Sequence, residues 1–126
     1  MRSSCERFLG LRYELGADGS NGKIDCIHLV LAVLDDLGIP RPEVKKAWYE
    51  NRRRMIFRDL YDWGERIASP VYDGDVVVIP GQDWTFGVTW QRGILYINQA
   101  LMAVNWSPVA LLPNVHAFRY CPTKSS

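Results

Sequence analysis

The sequence predicts an α+β domain, with helices in its first half packed on a small antiparallel sheet from its second. Three observations carry that prediction. The apolar run Cys26–Leu37 repeats at helical spacing. From Val71 onward the texture changes to short β-type runs separated by turn signals. At 126 residues and 48% hydrophobic content, the chain has room for one sizeable core, so residues 1–126 are expected to fold as one domain.

The elements follow in order. Glu6–Tyr13 reads as a short helix or turn. Gly16–Lys23, GADGSNGK, holds three glycines and reads as a loop. Asp25 is placed to cap the helix that follows. Cys26, Val30, Val33 and Leu37 line one face of that helix, and Ile27, Leu31 and Leu34 widen it. Only a narrow polar stripe remains through His28, Ala32 and Asp35, so the helix is expected to be central. Gly38, with Pro40 and Pro42 behind it, ends it.

Glu43–Ile67 reads as a second, more polar helical region with a break near Gly64. It carries Arg52-Arg53-Arg54 and the aromatics Trp48, Tyr49, Phe57, Tyr61 and Trp63. Strands are expected over Asp75–Ile79, Thr85–Trp90, Ile94–Ile97, Leu101–Trp106 and Val115–Tyr120. The breaks between them, Pro80–Asp83, Gln91–Gly93, Asn98-Gln99 and Ser107–Asn114, are short, which predicts a mostly antiparallel meander.

Composition narrows the function. A net charge of +1 gives no global field toward nucleic acid or a membrane surface. No stretch reaches membrane-spanning length. The start, MRSSCERFLGLRYELG, lacks a signal-peptide core before charges return at Arg12 and Glu14, so cytoplasmic synthesis is expected. Cys5, Cys26 and Cys121 are odd in number and widely spaced, which argues against a disulfide framework and a zinc site. No cofactor is expected.

Cys26 is where chemistry is expected. A thiol in a helix's first turn lies among unpaired N–H groups at the positive end of the dipole, and both favour the nucleophilic thiolate. Peptide cleavage also needs a base, and an acid to protonate the leaving amine. His28, two residues on, sits about 200° around the helix and points away. It reads as a partly exposed residue of the polar stripe. His116 reaches Cys26 only if the last strand borders the helix N-terminus. Asp83 is a turn residue first. Thr85, Gly87 and Thr89 alternate on one strand face, and Phe86, Val88 and Trp90 on the other. The small, polar face is expected to leave open space above Cys26, or simply to pack on the central helix.

The order of these motifs resembles the NlpC-type cell-wall peptidases, papain-like cysteine peptidases that cleave the peptide stems of bacterial peptidoglycan. Arg12-Tyr13 with Gly16 resembles the family's Pro-Tyr-x-x-Gly. Asp25-Cys26 with Leu29-Val30 resembles its nucleophile motif Asp-Cys-Ser-Gly-Leu-Val, and Gly38-Ile39-Pro40 the end of the nucleophile helix. Asp73-Gly74-Asp75-Val76-Val77 resembles the Pro-Gly-Asp-Leu-Val strand, and Phe86-Gly87-Val88 the tail of His-Val-Gly-Ile. The likeness runs from about Phe8 to Tyr120.

The resemblance implies a papain-like fold, Cys26 as nucleophile, Tyr13, Asp25 and Thr85 lining the site, and Asn98 as the residue that orients the histidine, with Asn105 a weaker candidate. It also implies departures. Thr85 stands where the family has its histidine, Ile27 replaces the usual serine, and His28 the small glycine. Small size and the closing Ala117-Phe118-Arg119-Tyr120 look most like phage-tail members, so peptide stems or a phage-tail protein are the expected partners. Two functions stay open: a cell-wall hydrolase with impaired activity, or an inactive binding or structural module. Arg52-Arg53-Arg54 reads as a solvated helix face or a contact for an anionic partner.

Overall fold

The computed structural model describes residues 5–43, 52–80, 85–98, 100–112 and 114–122. The side chains of residues 52–56 and 85 lie outside that description, as do Trp48, Tyr49 and Asp83 entirely. A 3-10 turn, Cys5–Phe8, leads into β1 (Arg12–Tyr13) and β2 (Lys23–Ile24). Helices α1 (Cys26–Leu37) and α2 (Arg52–Trp63) follow. The chain then forms β3 (Gly64–Ile67), β4 (Val76–Ile79), β5 (Thr85–Trp90), β6 (Gly93–Asn98), β7 (Ala103–Pro108) and β8 (His116–Tyr120). These eight strands form one sheet in the order β2-β1-β7-β6-β5-β4-β8-β3. The architecture is mixed α+β, as expected.

Helix α1 has the bounds its sequence predicts, for local reasons. Asp25 accepts from the His28 amide at the start, and Gly38 closes the end at φ 72. The buried Leu29, Val30, Val33 and Leu34 pack with Phe86, Val88, Leu95, Ile97 and Phe118 of the sheet. Gly74-Asp75 is equally explicable. Gly74 has φ +93, and a Cβ there would meet Ile39 Cδ1 at 2.3 Å. The Asp75 carboxylate is buried and accepts from the Val71 and Tyr72 amides and twice from the Arg119 guanidinium, each at 2.9 Å. That network fixes the turn before β4.

Four expectations are corrected. The N-terminal stretch has the expected short helix or turn at Cys5–Phe8, but Arg12–Tyr13 is a strand, because β1 pairs with both β2 and β7. The second helical region stops at Trp63, and Gly64–Ile67 pairs antiparallel with β8. Gly64 permits this, since a Cβ there would lie 2.1 Å from the Arg119 carbonyl oxygen. The meander holds only from β4 to β7. Strand β8 joins β4 at the far side, and Val109, Leu112 and Val115 of the connection pack on Val77, Ile94 and Ala117 as they cross.

The fourth correction concerns phase. Phe86, Val88 and Trp90 face α1 in the main core. Gly87 is on the opposite face, where a Cβ would meet Ile94 Cγ2 at 2.7 Å and Val77 Cγ2 at 3.0 Å. The small set of β5 residues therefore opens no space above the helix. Large side chains gain most from burial, so they take the face with the greater cover.

Candidate functional site

Strand pairing brings most of the candidate residues to one end of the sheet. The described β5–β6 ladder ends at Gly87↔Tyr96, two residues from both Thr85 and Asn98. Asn98 then pairs with Ala103, and Ala103 with Arg12 beside Tyr13. Tyr13 pairs with Ile24, which leads directly into Asp25 and Cys26. Tyr13, Asp25, Cys26, Thr85 and Asn98 thus lie toward the same end of the sheet, spread from its β2 edge to β5.

Their side chains are engaged in different ways. Cys26 is the first helical residue, a half-buried thiol packed against the main core. Asp25 is 1% exposed. Its Oδ1 accepts from the His28 amide at 2.7 Å and faces His28 Nδ1 at 2.8 Å. A carboxylate oxygen only accepts, so the imidazole donates its Nδ1–H. Oδ2 accepts from the Gly16 amide at 2.9 Å, and the Asp25 amide donates to the Ala17 carbonyl at 3.0 Å. One buried carboxylate therefore ties the glycine loop, the helix N-terminus and an imidazole together.

Tyr13 is half-buried against the same core, and its amide donates to the Met102 carbonyl. Asn98 serves its own turn: its Oδ1 accepts from the Ala100 and Leu101 amides at 3.0 and 3.1 Å. It is in phase with Ile94 and Tyr96, which pack on the face away from α1. Its side-chain oxygen thus closes the turn after β6. Asn105 pairs with Tyr96 one strand further from β5.

The sequence has two histidines, and both have partners. His28 is held by Asp25, its ring one-third exposed. His116 lies on β8, separated from β5 by β4. Its Nδ1 is 2.6 Å from Arg66 Nη2, and its ring meets Phe57 edge-on at 5.3 Å. Burial, then the Arg66 charge, pushes its pKa below the ordinary value.

An open cleft of about 320 Å³ lies over the loop, lined by Glu14, Gly16, Asp18, Ser20, Asn21 and Lys23 among others. Hydrogen bonds from Ser20 hold the Asp18 carboxyl below its usual pKa. No group of three or more His, Cys, Asp or Glu side chains among the described residues is arranged to hold a metal ion. No described helix is long and apolar enough to cross a membrane.

Two features escaped sequence reasoning. The Asp25–His28 contact had a local signal, an N-cap acid three residues before a histidine. The Asp75–Arg119 pair, 44 residues apart, had none. No protein-family model matches the chain, and no curated protein matches it.

Proposed function

We propose that this chain is a papain-like, NlpC-type domain that has lost peptidase chemistry and acts as a binding or structural module, on peptidoglycan peptide stems or within a phage tail. The observation that carries this reading is the commitment of both histidines. His28 gives its Nδ1–H to Asp25, and residues two apart on a helix do not face each other. His116 contacts Arg66 and Phe57 two strands away from β5. General acid–base help at Cys26, worth about a hundred- to ten-thousandfold in rate, would need one of these rings to leave the contact described for it. The placement of Tyr13, Asp25, Cys26 and Asn98 toward one end of the sheet supports descent from the peptidase arrangement.

The test uses the purified chain on muropeptides that contain a D-glutamyl–diamino-acid bond, and on insoluble sacculi. No Cys26-dependent product is expected. Any retention on sacculi is expected to be unchanged in Cys26→Ala. Turnover abolished by Cys26→Ala would refute the non-catalytic reading and make His28 and His116 the next residues to replace.

A further inference from the structure

Among the described residues, strand β3 is an edge of the sheet, joined to β8 alone. Across that seam, Arg66 Nη2 approaches His116 Nδ1 at 2.6 Å. A guanidinium has no acceptor, so Nδ1 must offer its lone pair, and the ring proton is on Nε2. Protonating Nδ1 converts the acceptor into a donor and sets two cations in contact. We propose that His116 and Arg66 form an acid-released clasp that holds β3, and with it the end of α2, on β8.

The surroundings favour the neutral ring. From α2 the ring meets Phe57 edge-on, with the exposed Arg58 and the buried Asp59 following in the helix. From β4 its register partner is the buried Val78. From β3 the facing charge is Arg66, while Glu65 is in register with Arg119 and accepts from the Cys121 thiol at 3.5 Å. Burial and Arg66 both lower the His116 pKa, in keeping with this contact.

The direction of the pH effect follows. In the opened edge, His116 regains its ordinary value of about 6.5 and takes up a proton there, whereas the closed clasp resists protonation until lower pH. Closure is therefore complete above about pH 6.5 and weakens as pH falls through that value. Because Gly64 follows Trp63 directly, release of β3 loosens the last turn of α2. Edge elements open locally without global unfolding, so the change is confined to this corner.

Amide hydrogen exchange, corrected for intrinsic rates, tests the clasp between about pH 7.5 and about pH 5, the range where histidine titrates. Protection of Gly64–Ile67 is expected to fall by up to about tenfold for each unit by which the His116 midpoint, read by NMR, lies below its ordinary value. Protection in β6 should stay constant. His116→Asn keeps an acceptor oxygen but cannot titrate, so its β3 protection should not vary. Arg66→Gln should shrink the drop. Constant protection in the wild-type chain, or an equal drop in His116→Asn, would overturn the proposal.

Discussion

Removing the Asp25 carboxylate should cost this fold more than most single substitutions. Asp25→Ala deletes the N-cap of α1, a loss of about 0.5–2 kcal/mol. It also strands the Gly16 amide, which donates to Oδ2 at 2.9 Å in a part-buried setting. An unsatisfied buried donor costs about 1–3 kcal/mol, and partial burial puts this one at the low end. The His28 ring loses its acceptor but is one-third exposed and can turn to water. The expected loss is about 2–4 kcal/mol, since neighbouring effects do not add fully. Asp25→Asn keeps one oxygen for the His28 amide and should lose about half as much. Urea unfolding followed by circular dichroism measures both, and limited proteolysis of Gly16–Lys23 should accelerate in the alanine variant. An Asp25→Ala stability within about 0.5 kcal/mol of wild type, the range of ordinary surface changes, would refute the account of this carboxylate.

Thr89 is fully buried, and its hydroxyl has no hydrogen-bond partner among the described residues; Thr89→Val should stabilise by about 1 kcal/mol, a rise of a few degrees in Tm. Gly64→Ala forces a Cβ onto the Arg119 carbonyl and should cost about 2–3 kcal/mol. Gly38→Ala, at φ 72 in open space, should cost only about 1 kcal/mol, and chemical denaturation of the pair compares them. Iodoacetamide labelling with mass-spectrometric site assignment should modify Cys26 first, at the amide-rich end of α1, and the fully buried Cys5 last.

What could be read from the sequence was what local chemistry decides. The bounds of α1 follow from an acid before it and a glycine after it. The strands β4 to β8 announce themselves through β-branched and aromatic runs between turn residues. β1 and β2 are two residues each, too short for any periodicity, and exist only because β7 offers an edge. β3 is Gly-Glu-Arg-Ile, polar as an edge strand should be, and so reads as more of the preceding helix. The placement of β8 beside β4 depends on a connection crossing the sheet, which no local pattern records. At the site, the strand register places Tyr13 and Asn98 toward the end of the sheet where α1 begins. Side-chain direction depended on which face of the sheet α1 covers.

That difference between position and phase decides what Thr85→His would do. The family pattern puts position 85 beside the nucleophile, and the strand order does bring the start of β5 to the end of the sheet where α1 begins. The alternation read from the sequence, however, groups position 85 with Gly87 and Thr89, and Gly87 lies on the face turned away from α1. Bringing a new imidazole toward Cys26 would require β5 to slip by one residue, which exchanges its two faces. Phe86, Val88 and Trp90, each at most 5% exposed, would then leave the main core. At about 1.5–3 kcal/mol for each large apolar side chain, that exchange approaches the whole stability of a domain. Thr85→His is therefore expected to fold, to gain no hydrolysis of peptide-stem substrates, and to leave Cys26 alkylation against pH unchanged. A Cys26-dependent gain approaching a hundredfold, the lower range for acid–base help, would mean that position 85 faces the thiol after all. The loss of function would then rest on one side chain rather than on the packing of the strand that carries it.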